Sequence, residues 1–138
     1  MSTELHPYLN FDGQTAEAMT FYADVFGGTV RIMRFGDSPM PTTPETKDRV
    51  MHATVNAPGV TIMASDTMPG MPLVKAGNVH LSLNFASPGE QDAAWARLAE
   101  GGKVTMPLNE VFFGRFGMVT DRFGTSWMLH YAPPQARG

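Results

Sequence analysis

The sequence has 138 residues, no cysteine and a formal net charge of −3, a length sufficient for one domain with its own core. The absence of thiols excludes thiolate metal sites, iron–sulfur clusters and cysteine nucleophiles, and it is compatible with a cytoplasmic location. The 10 Lys and Arg residues form no basic run, and no apolar run is long enough to span a bilayer, so neither nucleic acid nor membrane is an expected partner.

The first half of the chain has the pattern of a strand, a helix and three more strands. The segment "HPYLNF" (6–11) alternates like a strand covered on one face, and "TAEAMTFYADVF" (15–26) has helical spacing, with Thr15 as the expected N-cap and Gly27-Gly28 as the stop. Strand patterns return in "TVRIMRF" (29–35), "RVMHATVNA" (49–57) and "GVTIMASD" (59–66).

The second half repeats this order. "HLSLNF" (80–85) lies 74 positions after "HPYLNF", and the same spacing aligns Trp95 with Phe21 and Gly101-Gly102 with Gly27-Gly28. Both aromatic residues are therefore expected to be buried between helix and sheet. A helix over "PGEQDAAWARLAE" (88–100) is followed by "KVTMPL", "RFGMVTD" and "TSWMLHYA".

This duplication predicts an α+β fold, a single domain of residues 1–138 made of two repeats, about 5–66 and 79–132. Each repeat is a β-α-β-β-β module, and together the two would form a curved mixed-sheet cup with the helices outside. Because an isolated module leaves a sheet edge unpaired, a homodimer is expected. The Met-rich segment between the repeats (66–78) is either a lid or an ordinary loop.

The order of the segments "PYLNF", "MHA", "MASD", "LSLNF", "GGKVTMPL" and "FGMVTDRFG" resembles the vicinal oxygen chelate superfamily, which includes glyoxalase I, bleomycin-resistance proteins and extradiol dioxygenases. Within it the chain is most similar to the PhnB-like branch, over residues 5 to about 132. That branch often carries a demethylubiquinone methyltransferase label. No glycine-rich turn follows a strand here, as an adenosyl or dinucleotide cofactor would require.

The resemblance and the strand alternation together predict which side chains face the cup. The expected ligand contacts are Tyr8, Asn10, His52, Met63, Ser82, Asn84, Arg115 and Met128. Arg115 is included because it corresponds to Val50 of the first repeat, and the strand alternation predicts that Val50 lies on the same face as His52. For an enzyme, Glu110, His52 and His130 are candidates to move a proton. Each of these residues could instead be an ordinary surface or packing residue, and methionine commonly lines apolar cavities.

In chelating members of the superfamily, a divalent metal is held by two ligands from each module, on its first and fourth strands. Those positions match His6 and His80, and Met63 and Met128, where glutamates would be expected. Thioethers are poor ligands for hard cations, and two neutral histidines supply no charge. No cofactor is certain on this basis. A metal held by His6 and His80 would be Zn²⁺, Ni²⁺ or Fe²⁺, and it would be held weakly.

Two function classes stay open. One is a protein that binds a small molecule in the cup without a tight metal, as bleomycin-resistance proteins do. The other is a metal-dependent lyase, isomerase or dioxygenase that acts on a substrate with vicinal oxygens. The methionines at both carboxylate positions favour the binding protein. Ligand identity, and whether the modules pair within a chain or across a dimer, stay open too.

Overall fold

A computed structural model describes residues 3–39, 41–68, 71–73 and 78–133 of the chain. The chain forms two compact units, residues 1–74 and 75–138. Part of the segment predicted to be a lid or a loop, residues 69–70 and 74–77, lies outside the described residues. Within the described ranges, none of the helices has the length and apolarity needed to cross a membrane.

The first unit is a four-stranded sheet with one long helix. Its elements are β1 (Tyr8–Phe11), α1 (Thr15–Phe26), β2 (Thr29–Arg34), a short 3₁₀ helix (Phe35–Asp37), β3 (Val50–Ala57) and β4 (Val60–Asp66). The strand order is β1-β4-β3-β2, with β1 parallel to β4 and the other pairs antiparallel. The parallel pair needs a crossover, and α1 lies within that connection.

The second unit repeats this topology. Its elements are β5 (Leu81–Phe85), α2 (Pro88–Ala99), β6 (Lys103–Val111), β7 (Gly114–Thr120) and β8 (Ser126–Tyr131). The order is β5-β8-β7-β6, with β5 parallel to β8. Tyr8 pairs with Met63 in the first sheet, and Ser82 pairs with Met128 in the second. The predicted fold class, two β-α-β-β-β modules of mixed sheet, is confirmed.

Each helix buries one stripe against its own sheet. In α1 the stripe includes Ala18, Met19 and Tyr22, all with 0% exposure, and in α2 it includes Ala94 and Leu98. The expectation that Phe21 and Trp95 are buried is only partly met, because both are half-buried. Phe21 precedes the stripe residue Tyr22, and Trp95 follows the stripe residue Ala94. One position along a helix is a rotation of about 100°, so both rings point to the side of the stripe.

Trp95 still packs on the sheet, at a place where a strand has no side chain. A Cβ added at Gly117 of β7 would lie 2.8 Å from the Trp95 ring. Glycine at position 117 therefore makes room for the indole.

The two glycines of each Gly-Gly pair have different structural roles. Gly27 adopts a left-handed φ of 68°, which ends α1, and Gly101 has a φ of 73° after α2. The second glycine of each pair lies against a strand: a Cβ at Gly28 would be 2.2 Å from a backbone oxygen of β3, and one at Gly102 would be 2.4 Å from a backbone oxygen of β7. The repeated pair thus positions each helix close to its sheet.

The start of α1 differs from the prediction. Thr15 is the first helical residue, and Gln14 before it makes no side-chain cap. The buried carboxylate of Asp66, at the end of β4, takes that role: its Oδ1 accepts hydrogen bonds from the amides of Gly13 (2.8 Å) and Thr15 (3.2 Å) and from the Thr15 hydroxyl (2.7 Å). Its Oδ2 accepts from the amide of Val50 at 2.9 Å. One carboxylate from a distant strand therefore caps the helix.

Candidate functional site

Each sheet has one face covered by its helix and one face without a helix, and most predicted site residues lie on the latter. The prediction that His52 shares a face with Val50 is wrong. Met33 and Arg34 are consecutive in β2 and point to opposite faces, yet their partners are His52 and Val50, which are two positions apart. A β-bulge between them reverses the alternation. His52 therefore lies on the helix-free face, and Val50, 1% exposed, lies on the helix face.

In the first unit, the helix-free face carries a hydrogen-bonded cluster around His52. The Tyr8 hydroxyl lies 3.3 Å from His52 Nδ1, and the Thr54 hydroxyl lies 3.1 Å from Nε2. Each hydroxyl can donate or accept, so a neutral imidazole of either tautomer satisfies both contacts. Next to this cluster, Met63 is in register with both Thr54 and Tyr8. The structure thus brings Tyr8, His52 and Met63 together, as the sequence predicted.

Asn10 continues the polar part of the same face. Its Nδ2 donates a hydrogen bond to the Ser65 hydroxyl at 3.2 Å, and both residues are in register between β1 and β4. Asn10 is exposed. Its amide oxygen therefore has access to solvent or to a bound molecule.

In the second unit, His130 is the centre of the corresponding cluster. Its Nδ1 lies 3.0 Å from Asn84 Oδ1, and its Nε2 lies 3.1 Å from the Phe113 carbonyl. Two acceptors around one ring require either an imidazolium or a turned Asn84 amide that donates to Nδ1. The Phe113 and Phe116 rings pack near the imidazole, at centroid distances of 5.4 and 6.4 Å. His130 is thus held by an amide, a carbonyl and two aromatic rings.

The positions that the sequence resemblance predicts for metal ligands carry a mixed and mostly neutral set of donors. Met63 and Met128 occupy the fourth-strand positions, in register with Tyr8 and Ser82. His6 and His80 precede the first strands of their units; His6 Nε2 lies 3.0 Å from Glu4 Oε1, and His80 is exposed. Among the described residues, no group of three or more His, Asp or Glu side chains could hold a metal ion. This donor set does not fit a hard divalent cation.

Arg115 lies on the helix face, which corrects its predicted placement with the other ligand contacts. Its Nη2 donates to Asp92 Oδ1 of α2 at 2.7 Å, and its Nη1 lies 3.3 Å from Gln91 Oε1. Glu110 of β6 is its cross-strand partner. Arg115, Asp92 and Glu110 border a cleft of about 420 Å³ at the start of α2, whose wall also includes Tyr131. Arg115 and Glu110 are therefore separated from His130 by the thickness of the sheet.

Two polar residues that the sequence did not single out organise the second unit. Gln91, with 0% exposure, donates from Nε2 to the carbonyls of Arg115 (2.9 Å) and Leu129 (3.1 Å) and so joins α2 to β7 and β8. Asp121 is 4% exposed and accepts the Trp127 indole N–H at 2.8 Å. The sequence signal for Asp121 is an acidic residue in the tight connection "TDRFGT" between two strand patterns. Both residues stabilise the scaffold.

Comparison with known proteins identifies relatives over nearly the whole chain. A family model described as 3-demethylubiquinone-9 3-methyltransferase matches residues 3–130. Protein YjdN of Escherichia coli (strain K12) is 30% identical over 143 residues, which cover 95% of this chain and 97% of YjdN.

Two solved structures are also similar to this chain over nearly its whole length. Protein PA1353 from Pseudomonas aeruginosa is 41% identical with a TM-score of 0.87, over 95% of this chain and 98% of that one. A Bacillus cereus PhnB protein, described as a putative 3-demethylubiquinone-9 3-methyltransferase, is 28% identical with a TM-score of 0.79, over 94% and 100% of the two chains.

A more distant structure shares the fold. A variant of the fosfomycin resistance protein FosX from Listeria monocytogenes, complexed with Mn(II) and a dihydroxypropylphosphonic acid, is 17% identical with a TM-score of 0.67, over 99% of this chain and 97% of that one. Together with the family match, these likenesses agree with the repeated topology and with the order of motifs in the sequence. The chain belongs to the family described as 3-demethylubiquinone-9 3-methyltransferase, which includes chains similar to the Bacillus cereus PhnB protein, and it shares the fold of the FosX variant.

Proposed function

We propose that this protein binds a small organic molecule, in the manner of glyoxalase/bleomycin-resistance proteins, and that the ligand contacts the helix-free faces of its sheets. The observation that carries the proposal is the pair of half-buried methionines, Met63 and Met128, at the positions where a chelating relative would have carboxylates. A thioether adds adaptable apolar contact and no negative charge. The site is therefore suited to a ligand with an apolar body.

Polar groups beside the methionines would orient such a ligand. Tyr8 is 49% exposed and its hydroxyl touches His52, so it can hydrogen-bond a ligand while its ring supplies apolar area. In the second unit, Ser82 and Asn84 are exposed beside Met128 and His130. A few polar groups on a largely apolar surface are typical of small-molecule sites. Because Arg115 lies on the helix face, the proposal includes no anionic group bound by that residue.

The methyl transfer in the family's description is not part of this proposal. The amides at the start of α1, which could bind a cofactor phosphate or carboxylate, are already bonded to Asp66. The amide of Glu90 near the start of α2 is bonded to the Ser87 side chain. Each helix start therefore already has a side-chain oxygen bonded to its first amides, where a cofactor phosphate or carboxylate would bind.

The second candidate function is a metal-dependent lyase, isomerase or dioxygenase. It is favoured by one observation, the Mn(II) complexed with the FosX variant of the same fold. In this chain, His6 and His80 would be the histidine ligands, with His52 or His130 moving a proton; Glu110, the other candidate from the sequence, lies on the helix face beside Arg115. The thioethers at positions 63 and 128 oppose it, because they replace the anionic oxygens that hard divalent ions need.

Two titrations separate these functions. Chelator-treated protein is titrated calorimetrically with Zn²⁺, Ni²⁺, Fe²⁺ and Mn²⁺, beside a His6→Ala, His80→Ala double variant and a Met63→Glu, Met128→Glu double variant. We expect the native protein to bind none of them tightly and the glutamate variant to gain affinity. Tight binding by the native protein that the histidine substitutions abolish would instead establish the metal-dependent function.

Ligand binding is tested with Nile red, an uncharged apolar fluorophore whose emission increases in apolar surroundings. We expect enhanced fluorescence that falls when Met63 and Met128 are changed to glutamate, since charge on both surfaces disfavours the apolar probe. A Met71→Leu variant is the control, because Met71 is 63% exposed outside the sheets. Probe binding that is absent, or unaffected by the two glutamates, would contradict the proposal.

The proposal also includes a cytoplasmic homodimer. An edge strand, β6, carries the exposed apolar residues Val104 (43%) and Met106 (40%), and Phe112 at its end is 98% exposed. Exposed apolar groups along a sheet edge favour association. Sedimentation at micromolar concentration is the measurement, and a monomer would contradict this part.

A further inference from the structure

The cleft at the start of α2 is a concave surface that the proposed small-molecule site does not use. Its volume is about 420 Å³, and its walls come from the first turns of α2, the hairpin between β6 and β7, and the end of β8. Tyr131 in the wall has the same orientation as the buried Leu129 two positions earlier, so the cleft lies on the helix face of the second sheet. A volume of this size is typical of sites for small organic molecules.

Rings form part of the wall of this cleft. Pro88 is the first residue of α2, and the half-buried residues Tyr131 and Pro133 lie at the end of β8 and just beyond it. Proline and aromatic rings have few rotatable bonds, so a ligand packs on them with little loss of side-chain entropy. An aromatic face also attracts a cation. The wall thus offers apolar area to the body of a ligand and a ring face to a positive charge.

The charged groups of the cleft leave one carboxylate without a cation. Glu110 and Arg115 lie directly opposite each other in β6 and β7. The guanidinium nevertheless turns to α2, where its Nη2 donates to Asp92 Oδ1 at 2.7 Å. Among the residues that the structure describes, the Glu110 carboxylate makes no ion pair or hydrogen bond. Two carboxylates and one guanidinium therefore give the cleft an uncompensated negative charge at Glu110.

A buried glutamine keeps the guanidinium against α2. Gln91 has 0% exposure, and its Oε1 lies 3.3 Å from Arg115 Nη1. Its Nε2 donates to the main-chain carbonyls of Arg115 (2.9 Å) and Leu129 (3.1 Å), which fixes the glutamine itself. The Pro88 carbonyl lies 3.4 Å from the same Nη1. Because these contacts hold the guanidinium away from Glu110, that carboxylate is open to a cation from outside the chain.

From this arrangement we infer that the cleft binds an organic ammonium ion, an amine with a flat apolar body. The ammonium group donates hydrogen bonds to the Glu110 carboxylate, and the apolar body packs on the rings of the wall. A neutral molecule would leave the carboxylate without a partner, and an anion would be repelled by it. The cleft lies on the opposite face of the sheet from Met128 and His130, so it is separate from the small-molecule site proposed above.

The test compares three probes of similar shape and different charge, 2-phenylethylammonium, 2-phenylethanol and phenylacetate. Each is titrated into the full ¹⁵N-labelled chain, and binding is followed by the amide signals in ¹H–¹⁵N spectra. We expect 2-phenylethylammonium to shift the signals of residues 110–115 and to bind about fivefold more tightly than the alcohol, with phenylacetate binding most weakly. Higher salt should reduce the difference between the charged probes and the alcohol.

Glu110→Gln tests the carboxylate itself. The change keeps the shape of the side chain and removes its charge, so the affinity for 2-phenylethylammonium should fall about threefold or more while that for the alcohol stays the same. Glu17→Gln is the matched control, because it removes the same charge from an exposed position in the first turn of α1, in the other unit. It should leave all three affinities unchanged. The amide spectra also verify that each variant is folded.

Three results would overturn the inference. They are equal affinity for the ammonium ion and the alcohol, tighter binding of phenylacetate, and an affinity for the ammonium ion that survives Glu110→Gln. Signal shifts confined to the helix-free faces would also contradict it, because the probe would then occupy the small-molecule site. Nile red reports on that other site, so the two proposals can fail separately.

Discussion

The buried carboxylate of Asp121 should control the stability of the second unit through its bond to Trp127. Its Oδ1 accepts hydrogen bonds from the amides of Phe123 (2.9 Å) and Thr125 (3.0 Å), and its Oδ2 accepts from Trp127 Nε1 at 2.8 Å. Trp127 is 1% exposed. The carboxylate therefore joins the turn between β7 and β8 to the core.

Asp121→Asn is the most informative change, because it retains shape and one oxygen. The asparagine oxygen can still accept from the two turn amides, but its NH₂ group then faces the indole N–H, and two donors oppose each other. Losing one hydrogen bond to a charged group and leaving a buried donor unsatisfied costs about 2–4 kcal/mol in unfolding free energy. Asp121→Ala, which removes every acceptor, should cost more.

The assay is urea denaturation followed by circular dichroism, applied to Asp121→Asn, Trp127→Phe and the double variant. Because phenylalanine has no N–H group, Asp121→Asn should cost less when it is combined with Trp127→Phe, with a coupling energy of about 1–3 kcal/mol. Asp92→Asn is the control: its carboxylate is 58% exposed, so the loss should stay below about 1 kcal/mol. A coupling energy of zero, or an Asp121→Asn variant as stable as the native protein, would refute this account.

Three further predictions concern the scaffold, each measured by urea denaturation. Gly28→Ala and Gly102→Ala should each lower the unfolding free energy by about 1–3 kcal/mol, because the new Cβ would lie 2.2 and 2.4 Å from a backbone oxygen. Gly89→Ala is the control: nothing lies within 4 Å of its added Cβ, so it should be neutral or slightly stabilising. Equal effects at all three sites would contradict the steric argument. Gln91→Leu should cost about 1–3 kcal/mol because two strand carbonyls lose the NH₂ group that bonds them, and unchanged stability would show that these bonds are dispensable. Trp95→Ala should cost less than the roughly 3–5 kcal/mol typical of a buried tryptophan, because the ring is half-buried; a loss above that range would mean that the indole packs more tightly than its exposure indicates.

The sequence alone determined the elements, the duplication and the superfamily resemblance. Strand and helix periods are local properties, so "HLSLNF" and "TAEAMTFYADVF" carry their structure within a few residues. A spacing of 74 positions made the repeat visible and paired Tyr8 with Ser82, and a spacing of 65 positions near the end of each half paired Met63 with Met128. It also placed Tyr8, His52 and Met63 on one face.

Tertiary structure decided the features that depend on a partner far along the chain. The bulge in β3, which separates Val50 from His52, exists only when β3 pairs with β2, and no pattern in "RVMHATVNA" predicts it. Arg115 was placed with the ligand contacts because alternation was carried across that bulge. Its true neighbours, Gln91 and Asp92, belong to a helix more than 20 residues away.

The same reason explains the polar residues that the sequence did not reveal. Asp66 caps a helix that begins 51 residues earlier, and Gln91 bonds two strand carbonyls that lie 24 and 38 residues away. A side chain's type and its local period are written in the sequence, whereas its hydrogen-bond partners and its neighbours across strands are set by hydrogen bonding and packing between distant segments.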